Sequence, residues 1–271
     1  MTDAATAYAG TAAEPFGVGR IVSTTIKLIS RRLPLFVILA AVCVVVPTIA
    51  SSAILAKLGF GSANAAQQIL AQLGQSNGKQ QFAGLSSLFS LISIVAGCAA
   101  IFFHAAVASE VIRDVEGSDA ARPWSMAWRQ ILPLIGIAII VGIAMVGGFI
   151  LLVVPGVLVA LALCVAFPVR IAERRGVFAS IQRSRDLTRG YRWRIFLACL
   201  AYFGAVVVLQ MVLAVVRLVL PISAITWTIT VTPLLSGVTS LFGAVGIAVI
   251  YCELRAAKEG ARPTDVAAAF A

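Results

Sequence analysis

The sequence predicts an all-α integral membrane protein of six transmembrane helices with both termini in the cytoplasm. It further predicts three pseudo-repeats, each an interfacial helix followed by a helical hairpin. Three observations carry this. Hydrophobic residues make up 61% of the 271 residues and charged residues 12%, against about 45–50% and about 25% in soluble domains. Six apolar runs come close to the roughly 20 residues needed to cross a hydrocarbon core. And 18 of the 21 Lys and Arg fall in alternate connections and the two tails, the asymmetry that sets orientation.

The elements follow in order. Residues 1–15 read as a flexible tail, 16–260 as one membrane domain and 261–271 as a second tail. Val18, Val22, Thr25, Ile29 and Leu33 share one helical face, with Arg20, Thr24, Lys27 and Arg31 opposite. The first span covers 34–55. Arg31-Arg32 ahead of it and Pro47 and Ser51-Ser52-Ala53 after loosely resemble a signal peptide, but the apolar run continues to Leu55, which favours a retained span. Residues 59–84 are extracytoplasmic, a loop or a short interfacial helix on Ala66, Ile69, Leu70 and Leu73. The second span covers 85–109. Trp124, Ala127, Trp128 and Ile131 form a second amphipathic stretch.

Spans three (131–153) and four (155–172) meet at Val154-Pro155-Gly156. Pro155 suits a helix's first turn, where its missing N–H costs nothing. In the third amphipathic stretch Val177, Phe178, Ile181 and Leu187 oppose Gln182, Arg183, Asp186 and Arg189. Span five covers 195–217 and span six 234–252. Between them, residues 225–232 alternate with a strand period. An open edge strand cannot sit in lipid. The segment 222–233 is therefore an exposed loop or strand, or the start of the sixth helix with its threonines bonded back to the backbone.

Each even span ends in a glutamate: Glu110, Glu173 and Glu253. Glu110…Glu116-Gly117 and Glu253…Glu259-Gly260 share their spacing, and Ala121-Arg-Pro123 and Ala261-Arg-Pro263 follow them. Repeat units of about 16–110, 124–173 and 177–253 result. Each has an even number of spans, so an axis along the membrane normal would relate them.

The segment from Leu151 to Phe196 resembles the membrane domain found beside glycerophosphoryl diester phosphodiesterase, and its stand-alone YciC-like relatives. The matching residues are Pro155-Gly156, Pro168, Glu173, Gly176, Ala179, Arg183-Ser184, Leu187-Thr188, Gly190 and Trp193. Tyr251-Cys-Glu-Leu-Arg255 and Glu259-Gly260 fit the same resemblance. It implies a six-span helical domain without the phosphodiesterase, whose barrel, metal carboxylates and histidines this chain has no room to carry.

Catalysis and cofactors are not expected. His104 is the only histidine, and six residues to Glu110 place the two about 240° apart on a helix. The five cysteines, Cys43, Cys98, Cys164, Cys199 and Cys252, each sit in an apolar run without metal-ligand spacing. A net charge of +10 reflects topology, not nucleic-acid binding.

The candidate lipid-headgroup site is Arg183, Arg185, Arg189, Arg192 and Trp193, with Asp186 expected to orient Arg183 and Arg189, and with Ser184 and the helix start near Val177 adding donors. Ser236, Ser240, Ala244 and Ala248 form a small-residue stripe for helix packing. Gln210 and His104 are candidate intramembrane polar positions, and Arg217 is expected to snorkel. The functional expectation is a non-enzymatic protein of the bacterial inner membrane that handles or organises lipids, or scaffolds a partner. The alternative is a transporter or channel for a small or amphiphilic solute. Expected partners are anionic lipids and a homo-oligomer or membrane-protein partner.

Overall fold

The computed structural model describes residues 18–57, 76–116, 123–220 and 223–259. The helices are α1 (Val18–Arg31), α2 (Leu33–Ala40), a π-helical turn (Ala41–Val45), α3 (Val46–Lys57), α4 (Ser76–Glu116), α5 (Pro123–Leu151), α6 (Val153–Leu163), α7 (Ala166–Glu173), α8 (Val177–Thr188), α9 (Arg192–Val219) and α10 (Ala224–Glu259). No strand occurs among the described residues. Six helical segments there are long and apolar enough to cross a membrane: Leu33–Lys57, Ala83–Val115, Ile131–Leu151, Val153–Glu173, Arg192–Val219 and Ala224–Glu259. The chain is a multi-pass membrane protein. Both tails and most of 59–84 lie outside the described residues.

Prolines explain the irregularities. Pro47 has no N–H for the carbonyl four residues back and its ring crowds that carbonyl. The helix widens just upstream into the π turn, where the Val46 N–H reaches Ala41 O. Pro168 acts likewise on the fourth span, which breaks at Cys164–Val165 into α6 and α7. Pro133 and Pro233 are accommodated inside α5 and α10.

One expectation is corrected, and one open alternative is decided in favour of a helix. The stretch around Trp124 is no separate interfacial helix: one helix, α5, runs from Pro123 to Leu151. The segment 225–232 is helical, because α10 begins at Ala224. Its threonines supply the reason. The Thr228 hydroxyl donates to Ala224 O at 2.8 Å and Thr230 to Thr226 O at 2.7 Å, satisfying polar groups within the helix itself. On α1 the buried residues are Ile21, Thr25 and Ile29, while Val22, Ile26 and Leu33 beside it are exposed. Thr25 and Ile29 of the apolar face are thus buried in the protein, while Val22 of the same face is exposed.

The chain divides into two compact units, 1–33 with 104–203 and 242–271, and 34–103 with 204–241. The first unit's core includes Val107, Val111, Leu134, Ile137, Val169, Leu187, Ile195, Val249 and Leu254. Here α5 and α6, separated by the extended Leu152, form a hairpin. A Cβ on Gly148 would come 2.9 Å from Gly156 Cα, so this backbone approach requires glycine there, and a Cβ on Gly156, 2.7 Å from the Phe149 ring, would displace that side chain. The second unit buries Phe36, Leu39, Cys43, Phe103 and Leu241. Its α10 segment passes close to the π turn, where a Cβ on Gly237 would meet Val45 at 2.7 Å.

Candidate functional site

The first unit carries a cluster of buried carboxylates held by arginines from the amphipathic helices. Glu110 and Glu253 are each only 3% exposed. A carboxylate so enclosed needs a paired cation and hydrogen bonds to stay charged. Arg20, on α1, grips Glu253 with both ends of its guanidinium: Nε donates to Oε1 at 3.1 Å and an Nη to Oε2. Arg32, just past α1, reaches Glu110 at 3.1 Å and Asp114 at 2.8 Å, and Arg113 joins on Glu110. Glu173 receives Arg183 Nε at 3.1 Å and Arg175 Nε at 2.6 Å, with the Tyr251 hydroxyl at a long 3.4 Å. Arg183 also bonds Glu259, which Arg255 holds at 3.0 Å. Burial works against the Arg183 charge, but the bonds to Glu173 and Glu259 outweigh it and raise its pKa above the ordinary value.

Helix α8 is fixed by a second device. Ser180, Ser184 and Thr188 line its buried face with Ile181 and Leu187. Ser184 donates to Ala162 O at 2.9 Å and Thr188 to Ser184 O at 3.0 Å. Ala162 lies in the last turn of α6, where carbonyls lack donors of their own helix. The hydroxyl face of α8 therefore meets the polar backbone exposed by the break in the fourth span. The Ser180–Ser184–Thr188 spacing is visible in the sequence, but its purpose depends on that break.

These contacts bear on the predicted lipid site. Arg183 is engaged by Glu173 and Glu259 instead of Asp186, and Ser184 is engaged by backbone, so neither is open to a ligand. Arg185 and Arg189 are exposed and carry no ion pair among the described residues. Arg192 is half-buried, its Nε enclosed and without a hydrogen-bond partner. Trp193 is 70% exposed and stacks on Phe196 with centroids 5.3 Å apart. Phe178, expected on the apolar face, is 78% exposed beside Gln182 and Arg185.

The remaining candidates are placed as follows. Ala244 and Ala248 are buried, but Ser236 and Ser240 are only half-buried. The buried positions of α10 in the second unit are instead Pro233, Gly237 and Leu241. His104 is half-buried on α4 and Gln210 is exposed on α9. No group of three or more His, Cys, Asp or Glu placed to hold a metal occurs among the described residues.

The sequence marked Glu110, Glu173 and Glu253 as ends of spans. It did not reveal Arg20, Arg32 and Arg183 as their partners, since those contacts join residues as far as 233 positions apart. Comparison of the chain with family models, curated proteins and solved structures finds no match.

Proposed function

We propose that the chain is a non-enzymatic six-span protein of the bacterial cytoplasmic membrane that binds and organises anionic lipids at the cytoplasmic surface. The observation that carries this reading is the division of labour among the arginines. Arg20 and Arg32 are engaged by the buried Glu253 and Glu110, and Arg183 by Glu173 and Glu259. Arg185 and Arg189 stay exposed beside Trp193 and Phe178. Planar guanidinium forks match phosphate oxygens, exposed aromatics favour the headgroup region, and each basic residue near an anionic surface contributes about 1 kcal/mol.

Both termini belong in the cytoplasm on this reading. The first unit's segments hold 18 of the 21 basic residues and all 11 acidic ones, while the second unit's hold three cations and no carboxylate. A three-repeat organisation, the second copy without a separate interfacial helix, has support of the same kind. Arg20 precedes buried Thr25 by five residues, as Arg183 precedes buried Thr188, and each holds the glutamate ending an even span. The starts of the odd spans bury residues three apart: Phe36 and Leu39, Leu134 and Ile137, Ile195 and Ala198. Membership in the YciC-like membrane-domain family is part of this proposal. A scaffold role and an oligomer remain compatible with it, whereas transport has Gln210 as its one mid-span amide in support.

The test is a thermal-shift titration of the full chain with cardiolipin and phosphatidylglycerol against phosphatidylcholine. Anionic lipid should stabilise selectively, and Arg185→Gln with Arg189→Gln should remove most of the difference. A preference undiminished by the double substitution would mean that these arginines only set orientation.

A further inference from the structure

The second unit contains a groove of about 510 Å³ lined by Gln210, Leu213, Ala214, Arg217 and Leu218 of α9 and by Trp227, Val231, Thr232 and Leu235 of α10. That volume is in the range of small-molecule sites, about 300–1,000 Å³. The α9 residues recur at helical spacing along one face, as do those of α10. No residue in the apolar window of the α9 span is buried, so this helix leaves its side of the groove open.

The polar groups in the groove can all donate a hydrogen bond. Arg217 contributes a cation, Gln210 an amide, Trp227 an indole N–H and Thr232 a hydroxyl. Thr228, Thr230 and Thr239 bond to carbonyls of their own helix. Thr232 makes no hydrogen bond among the described residues and lines the groove. The segments of this unit, 34–103 and 204–241, contain no Asp or Glu at all. Arg217 therefore has no carboxylate in its own unit's segments, which leaves it able to take an anion from outside the unit. An unpartnered amide and cation in an apolar setting are costly to leave unsatisfied.

The spacing indicates what satisfies them. Gln210 lies seven residues before Arg217, about 10 Å along the helix. An occupant needs an anion at one end, hydrogen-bond acceptors two turns deeper, and an apolar body against the surrounding leucines. Inorganic phosphate has only the first feature; a phospholipid has its phosphate, its ester carbonyls and its acyl chains.

We propose that this groove binds a singly anionic phospholipid, with Arg217 on the phosphate and Gln210 and Thr232 donating to the glycerol and ester oxygens. The site is at the opposite end of α9 from Trp193 and does not rest on the cytoplasmic reading above.

The test uses the full chain in phosphatidylcholine nanodiscs doped with phosphatidylglycerol carrying a photoreactive diazirine near the glycerol, with cross-links mapped by peptide. Labels should concentrate in 210–218 and 227–235. They should fall about tenfold in Arg217→Gln, the loss expected for a charge-assisted bond, and persist in Arg217→Lys. They should also persist in Arg185→Gln with Arg189→Gln, which separates this site from the cytoplasmic one. Unchanged labelling in Arg217→Gln would overturn the proposal. So would equal labelling by a diazirine phosphatidylcholine, or displacement by millimolar glycerol 3-phosphate, which would indicate a site for free phosphate. If Arg217→Gln does not fold, Gln210→Leu and Thr232→Val decide: full labelling in both overturns the assignment.

Discussion

Removing Arg20 should destabilise the protein more than removing Glu253, although the two form one ion pair. Glu253 is 3% exposed and Arg20 is 19% exposed. In Arg20→Ala the carboxylate stays enclosed without its bidentate partner. Breaking a buried pair from one side costs about 3–5 kcal/mol. The lower end applies, about 3 kcal/mol, because the space vacated by a partly exposed arginine admits water to Glu253. In Glu253→Ala the guanidinium sits nearer the surface and can rotate to solvent, so the loss should be about 1 kcal/mol. The double substitution Arg20→Ala with Glu253→Ala should be about 1–2 kcal/mol more stable than Arg20→Ala alone, since no buried charge is left behind. Equilibrium unfolding in SDS–detergent mixtures, read by tryptophan fluorescence, measures all three. Equal losses in the two single variants, or simple additivity in the double, would refute the argument that an enclosed carboxylate is what makes α1 indispensable.

Two further predictions concern packing. Gly148→Leu should sharply reduce folded protein recovered by size exclusion, because its Cβ would already lie 2.9 Å from Gly156 Cα; Gly142→Leu, with nothing within 4 Å of its Cβ, should leave recovery unchanged. Ser184→Ala combined with Thr188→Val should lower unfolding stability in the same assay by about 1–3 kcal/mol, the range for a buried acceptor left unsatisfied. Ser184→Ala alone should lose less, since Thr188 also reaches Ala162 O at 3.5 Å.

Much of the fold is legible in the sequence because a bilayer imposes one-dimensional rules. A span must be apolar over a set length and satisfy its own backbone, so composition and periodicity locate Leu33–Lys57 or Arg192–Val219 without reference to the rest of the chain. The charge asymmetry is of the same local kind. Pro155 and Gly156 announce the hairpin between α5 and α6 for the same reason, since proline chemistry and glycine size are properties of single residues.

What depends on residues far apart could not be read that way. Amphipathicity identified α1 and α8 and their apolar faces, but not the polar contacts that hold them. Val22 and Phe178 are exposed while Thr25, Ser180 and Ser184 are buried, because the partners of these helices are carboxylates and a broken span's carbonyls as well as apolar surface. Asp186 is three residues from both Arg183 and Arg189, so proximity in sequence suggested the wrong pairing. Glu173 and Glu259, 10 and 76 positions from Arg183, are its partners. The alternation of Ile225–Thr232 left strand, loop and helix open, and its threonines bond within a helix. Local sequence set where helices could form and cross the membrane. The tertiary structure decided which charges are consumed in holding them and which, as at Arg185, Arg189 and Arg217, are left to meet something outside the chain.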